Sequence, residues 1–165
     1  MIHESDLDEL DPLPDDFYMR KAIEEAKQAL EEDEVPVGAV IVLGSRVIAS
    51  AHNQREQLKD PTAHAEILAI TQATQAIDDW RLEHCTMYVT LEPCIMCAGA
   101  IIQSRIPKVV FGASDPKAGG VQSMYELLSD SRLNHRAEIS GGLFADECGM
   151  LLTHFFQEKR RQGKK

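Results

Sequence analysis

The sequence predicts an α/β fold, with a mixed sheet of about five strands covered by helices on both faces. Three observations point there. Apolar residues recur at three- and four-residue steps over 16–32 and again over 145–161, the helical period. Between these segments lie short apolar runs at 37–43, 47–51, 87–91 and 109–112, of strand length. The order strand, apolar helix, strand over 87–112 implies a right-handed parallel crossover. The pair at 37–51 reads instead as an antiparallel hairpin, so the sheet is mixed. A sheet buried on both sides needs helices on both sides.

The elements follow in order. Residues 1–15 are polar and acidic, with Pro12 and Pro14, and are predicted to be a loose arm. Residues 16–165 are predicted to form a single domain, a length that suits one core. Met19, Ala22, Ile23, Ala26, Ala29 and Leu30 form the apolar face of the first helix. That helix runs into Glu31-Glu32-Asp33-Glu34, the wrong sign for a helix C-terminus, and solvent exposure is the only reason the sequence suggests. Gly44-Ser45 is a two-residue hairpin turn with glycine at its first central position. Residues 53–62 read as a polar loop closed by Asp60-Pro61-Thr62, and 63–77 as a mostly buried helix. Glu92-Pro93 breaks the strand at 87–91. A short apolar helix follows at 94–103, with Pro93 near its first position, where proline is tolerated. Residues 112–120 form a loop, 122–128 a short helix and 137–140 a last strand. The final helix, Ala145–Arg161, carries Leu151, Leu152, Phe155 and Phe156 on one face.

The net charge is −10, unevenly placed. Residues 1–34 hold 13 acids and 3 bases, whereas 35–165 hold 14 of each. The body is neutral, and the end, Lys159-Arg160-Arg161-Gln162-Gly163-Lys164-Lys165, is basic. The overall charge argues against nucleic-acid binding, where phosphate contacts dominate affinity; its placement weakens that objection. No apolar run approaches a membrane span. The acidic start is unlike a signal peptide, so a cytoplasmic location is expected. The four cysteines, Cys85, Cys94, Cys97 and Cys148, are then expected to be reduced.

The chemistry lies in His64-Ala65-Glu66 and Pro93-Cys94-Ile95-Met96-Cys97. Zinc binds imidazole and thiolate, and a catalytic zinc keeps three protein ligands and one open position. His64, Cys94 and Cys97 supply three such ligands. Cysteines three apart on one helical turn can reach one metal. Both fall in a first helical turn, where free N–H groups favour thiolates, and His64 opens another helix. Glu66 is two residues from His64, so the side chains diverge by about 200° on a helix. It is cast as the acid–base group that takes a proton from water and returns it to a leaving amine. Two other readings stay open here. Cys94 and Cys97 could be a redox pair, or the site a structural zinc with His84 or Cys85 as fourth ligand. Cys148 reads as a small buried hydrophobe.

A His-x-Glu followed by Pro-Cys-x-x-Cys is the signature of the zinc deaminases, and the chain resembles the cytidine/deoxycytidylate deaminase superfamily. The likeness is closer to its bacterial tRNA adenosine deaminase group. It is carried by 35–40, 60–66, 88–100, 110–113, 134–136 and 145–148, and spans roughly 16–161. The resemblance implies a three-layer cytidine-deaminase-like deaminase domain. It further implies one Zn2+ per subunit and conversion of adenosine to inosine at the wobble position (34) of a tRNA anticodon, typically of arginine tRNA. The partners implied are the anticodon stem-loop and a second copy of the chain, with the RNA cleft near the subunit interface. By the same resemblance, Asn53 holds the target nucleoside, Asp115 and Lys117 touch the anticodon backbone, and Phe155 and Phe156 lie against the RNA. Ser114 departs from the pattern, standing where the group usually has arginine. One rival shares the zinc core: a deaminase of free guanine, cytosine or nucleosides. Another is a non-catalytic, zinc-stabilised RNA-binding subunit, which the presence of Glu66 argues against.

Overall fold

The computed structural model describes residues 11–164. Helix α1 (Asp15–Glu31) leads into strand β1 (Gly38–Leu43), which turns back as β2 (Arg46–His52). There follow a one-turn helix α2 (Arg55–Leu58), α3 (Ala65–Ile77), β3 (Cys85–Leu91), α4 (Ile95–Ser104) and β4 (Lys108–Ala113). A 3-10 turn (Leu127–Ser129), β5 (Glu138–Gly141) and α5 (Ala145–Arg161) complete the chain. The strands form one sheet in the order β2-β1-β3-β4-β5. β1 pairs antiparallel with β2 and β3, while β3–β4 and β4–β5 are parallel. The sheet is therefore mixed and five-stranded, as the sequence predicts.

Alternation along the central strands assigns its two faces. Ala39 and Ile41 of β1, Met87 and Val89 of β3, and Val109 and Phe111 of β4 join one core with Ala69 of α3 and Ile101 of α4. The intervening Val40, Tyr88 and Val110 join a second core with Tyr18, Met19 and Ile23 of α1 and Cys148 of α5. The result is three layers, with β1 buried along its whole length. At the hairpin, Leu43 pairs with Arg46. Gly44 there takes φ 62°, the positive value that such turns demand at that position.

Several local expectations are corrected. The predicted loop at 53–62 contains α2. His64 and Cys94 are the N-cap residues of α3 and α4, not members of their first turns, so Pro93 lies just before the cap. The predicted helix at 122–128 is a series of turns ending in the 3-10 turn. The reason is that the N–H groups of Met124 and Tyr125 both donate to Gly119 O and that of Leu127 to Gly120 O, not to carbonyls four residues back, so no helical ladder forms. Residues 1–10 of the predicted arm lie outside the described residues, and Asp15, the last arm residue, already belongs to α1.

The acidic run ending α1 is mostly satisfied from elsewhere rather than merely solvated. Glu32 and Glu25 take the two ring nitrogens of His52, each at 2.7 Å. Asp33 accepts from Lys159 of α5 at 2.7 Å. Glu34 is only 1% exposed and accepts the N–H groups of Glu56 and Gln57 at the start of α2. Glu31 alone of the four is simply exposed.

Candidate active site

The N-termini of α3 and α4 meet beyond the carboxyl end of β3, where open α/β sheets hold their ligands. His64 caps one helix and Cys94 the other, and Cys97 stands in the first turn of α4. The candidate donor atoms of these three residues all lie within 4.8 Å of one another. His64 Nδ1 is 3.6 Å from both Cys94 Sγ and Cys97 Sγ. Zinc–nitrogen and zinc–sulfur bonds of about 2.0 and 2.3 Å at a tetrahedral angle would place such atoms about 3.5 Å apart. The donor set and its spacing therefore fit one zinc ion.

The protonation states point the same way. A hydrogen bond from the Cys97 thiol, aided by His64 and the Cys97 backbone N–H, holds the Cys94 thiol down to about 4 against burial. That bond, burial and the nearby Glu66 push Cys97 up. The pair thus favours the thiolate at Cys94, and a cation held by both sulfurs would require both to be deprotonated. Burial pushes the other two thiols up, Cys85 to about 12 and Cys148 to about 11, as inert core cysteines require. All four cysteines are free, so Cys94 and Cys97 are not bonded to each other. Cys85 packs in the core and His84 is exposed; neither belongs to the cluster.

Glu66 lies in the first turn of α3, is 4% exposed, and reaches the same cleft without joining the cluster. Burial pushes its carboxyl above the usual range, opposed by its own backbone N–H and by His64. A carboxyl poised in this way can both take and give a proton. The cleft encloses about 810 Å³. Its walls include Asn53 and Arg55 on one side, Asp115 and Lys117 on another, and Phe156 and Arg160 of α5.

The structure sorts the remaining sequence-predicted residues. Asn53 lines the cleft, while its Oδ1 accepts the Arg55 N–H at 3.1 Å, so it is also a turn residue. Asp115 lines the cleft and folds its own loop, Oδ1 accepting the N–H groups of Lys117 and Ala118. Phe156 is 44% exposed and faces the cleft. Phe155 is 7% exposed and turns away, beside Leu30 and Asp33 of the α1 end, with Lys159 Nζ over its ring. The structure does not bring Phe155 to the site.

Sequence reading missed two buried acids, Glu34 and Glu92, and Arg55, and took Arg160 only as part of the basic end. Arg55 and Arg160 join Lys117 on the cleft wall. Among the described residues none of the three has an ion-pair partner. Glu34 pins α2, and Glu92 holds the segment 115–123. Burial works against charge on Glu92, but hydrogen bonds from Ser123, Asp115 and Gln122 outweigh it and hold the carboxyl below its usual range. An acid at the very end of an apolar run, as in Leu91-Glu92-Pro93, is the one sequence signal that could have flagged Glu92.

Comparison with known proteins agrees with this geometry. Residues 14–148 match the family model of the MafB19-like deaminases. The tRNA-specific adenosine deaminase of Bacillus subtilis (strain 168) is 52% identical over 150 residues, 91% of this chain and 93% of that one. That of Aquifex aeolicus (strain VF5) is 48% identical over 145 residues, 88% and 95% of the two chains. A solved structure from work on A-to-I editing by tRNA:A34 deaminases superposes with a TM-score of 0.80 at 45% identity, covering 82% of this chain and 99% of that one. A guanine deaminase from Nitrosomonas europaea, at 22% identity and a TM-score of 0.75, shares the fold. Joined to the cluster beneath this cleft, these matches settle the kinship: the chain belongs to the tRNA-specific adenosine deaminase family.

Proposed function

We propose that this chain converts adenosine to inosine at the wobble position of a tRNA anticodon by zinc-dependent hydrolysis, with arginine tRNA as first substrate. The observation that carries the proposal is the His64–Cys94–Cys97 cluster opening beside buried Glu66 into a cleft with a basic rim. His64, Cys94 and Cys97 would hold one zinc per subunit, and zinc supplies the Lewis acidity that makes water a nucleophile near neutral pH. Glu66 takes a proton from that water and passes it to the amine as it leaves. The C6–N bond breaks, a C6–O bond forms, and adenosine plus water becomes inosine plus ammonia.

The remaining residues bind and orient. Arg55, Lys117 and Arg160 face phosphates on either side of the target, a role that suits cations without carboxylate partners. Phe156 offers a face on which an unpaired base can stack. Asn53 sits where it can hold the nucleoside. Anticodon bases are single-stranded and enter such a cleft at small cost.

Residues 16–165 act as one deaminase domain in this reading, and the enzyme is a cytoplasmic homodimer. Exposed Ile95, Met124 and Tyr125, on adjoining segments beside the cleft, offer apolar surface for a second copy. No helix among the described residues is long and apolar enough to cross a membrane.

The test pairs an anticodon stem-loop carrying adenosine at the wobble position with free guanine, cytosine and adenosine. Inosine from the stem-loop and no ammonia from the free compounds is expected. Ammonia from a free base with an inert stem-loop would replace this reading with a free-base deaminase.

A further inference from the structure

We infer that Glu92 is a positioning residue that fixes the substrate-facing wall of the cleft, an inference resting on the RNA-editing reading above. Glu92 follows β3 directly, precedes Cys94 by two residues and is 2% exposed. Its Oε1 accepts the N–H of Asp115 at 3.1 Å and the hydroxyl of Ser123. Its Oε2 accepts the N–H groups of Gln122 and Ser123 at 2.9 Å and of Val121 at 3.3 Å. Five donors, all from one segment, thus converge on one carboxylate. No cation pairs with it among the described residues. A buried carboxylate without a counterion persists only where such bonds replace its water.

Those bonds leave Glu92 no free lone pair for chemistry, so its effect must pass through the segment it holds. That segment contains the wall, Asp115 to Ala118, which is free of helix and strand and almost wholly exposed. Glu92 grips it just before the wall, at Asp115, and just after, at Val121 to Ser123. The main chain adds to the grip, Gly120 N donating to Pro93 O at 2.8 Å and Gly119 bridging to Cys94. A Cβ on Gly119 would stand 2.2 Å from Glu92 Oε2, so the carboxylate fills all the room available. The wall that carries Lys117 is thereby held to the same short stretch of chain that carries Cys94. His64 and Cys94 are also held by the first turns of α3 and α4, their carbonyls accepting from Leu68 and Ala98, and Cys97 lies within α4, so loosening the wall weakens substrate capture and leaves the zinc site intact.

The test uses Glu92→Gln, Ser123→Ala and the double variant in the full chain, with kcat, KM, zinc content and stem-loop affinity by fluorescence anisotropy. Each variant should keep one zinc per chain and a kcat near that of the wild type. Glu92→Gln should raise KM and Kd for the stem-loop about tenfold, the scale of a lost hydrogen bond to a charged group. Ser123→Ala should raise them less. Adding Ser123→Ala to Glu92→Gln should add little, because the two changes remove one network. Unchanged KM and Kd in Ser123→Ala would overturn the inference, even if Glu92→Gln fails to fold. So would a fall in zinc content and kcat in place of the rise in KM. A wild type that binds the stem-loop but makes no inosine sinks the functional reading alone, since affinity still judges Glu92. A wild type that neither binds nor edits sinks both.

Discussion

The Glu34 carboxylate accepts the backbone N–H of Glu56 at 2.7 Å, across 22 residues of sequence. This acid at the end of α1 therefore caps α2, whose own preceding residue Gln54 makes no side-chain cap. The cap fixes the turn that presents Asn53 and Arg55 to the cleft. Glu34→Gln should cost about 1 kcal/mol of stability, the usual worth of a helix cap. It should also raise KM several-fold with kcat little changed. Urea unfolding and steady-state kinetics would show both; an unchanged KM would mean that α2 holds its place without the cap.

His52 lies between Glu25 and Glu32 with both ring nitrogens bonded. Burial lowers its pKa, but the two carboxylates more than compensate, and the net shift is upward from 6.5. A raised folded-state pKa means that the contribution to stability is complete below about pH 6.5 and fades as pH rises through the folded value. Unfolding free energies measured from pH 5.5 to 9 should show wild type ahead of His52→Gln in acid, with the gap narrowing in alkali. A gap that widens with pH would contradict the ion-pair account.

Phe155 and Phe156 are neighbours with opposite duties. Phe155→Ala should destabilise the fold by about 3 kcal/mol, the low end for a truncated buried aromatic. Phe156→Ala should change stability by less than about 0.5 kcal/mol, yet raise KM about tenfold if a base stacks on it. Thermal melts beside kinetics separate the two; a stability loss in Phe156→Ala equal to that in Phe155→Ala would refute the division.

The basic rim predicts a salt dependence. Each of Arg55, Lys117 and Arg160 that meets a phosphate should contribute about 0.7 to the slope of log affinity against log salt, the value for single strands. Alanine at any one should flatten that slope by about this amount and leave kcat alone. A slope unaffected by all three substitutions would place the RNA elsewhere.

The α/β class, the mixed sheet and the metal-type residues were legible because their signals are local. Periodicity shows which face of a segment is apolar, and His64, Cys94 and Cys97 belong to residue types with few structural uses at such spacing. Glu34 and Glu92 were illegible for the opposite reason. An acid reads as surface charge until the backbone amides that surround it are known, and those come from 22 to 31 residues away. The same blindness made 122–128 look helical, since its N–H groups turn back to Gly119 and Gly120, which local periodicity does not show. Phe155 and Phe156 share an apolar stripe, and which one faces the cleft depends on where α5 docks against α1.

The central claim is that a His64–Cys94–Cys97 zinc site and the Glu66 carboxyl together perform the deamination. Metal content and inosine formation measured on the same samples of wild type and Glu66→Gln test it most directly. The account predicts about one zinc per chain in both proteins, with inosine from the wobble adenosine in the wild type alone. Turnover by metal-free protein, or by Glu66→Gln at the wild-type rate, would contradict it.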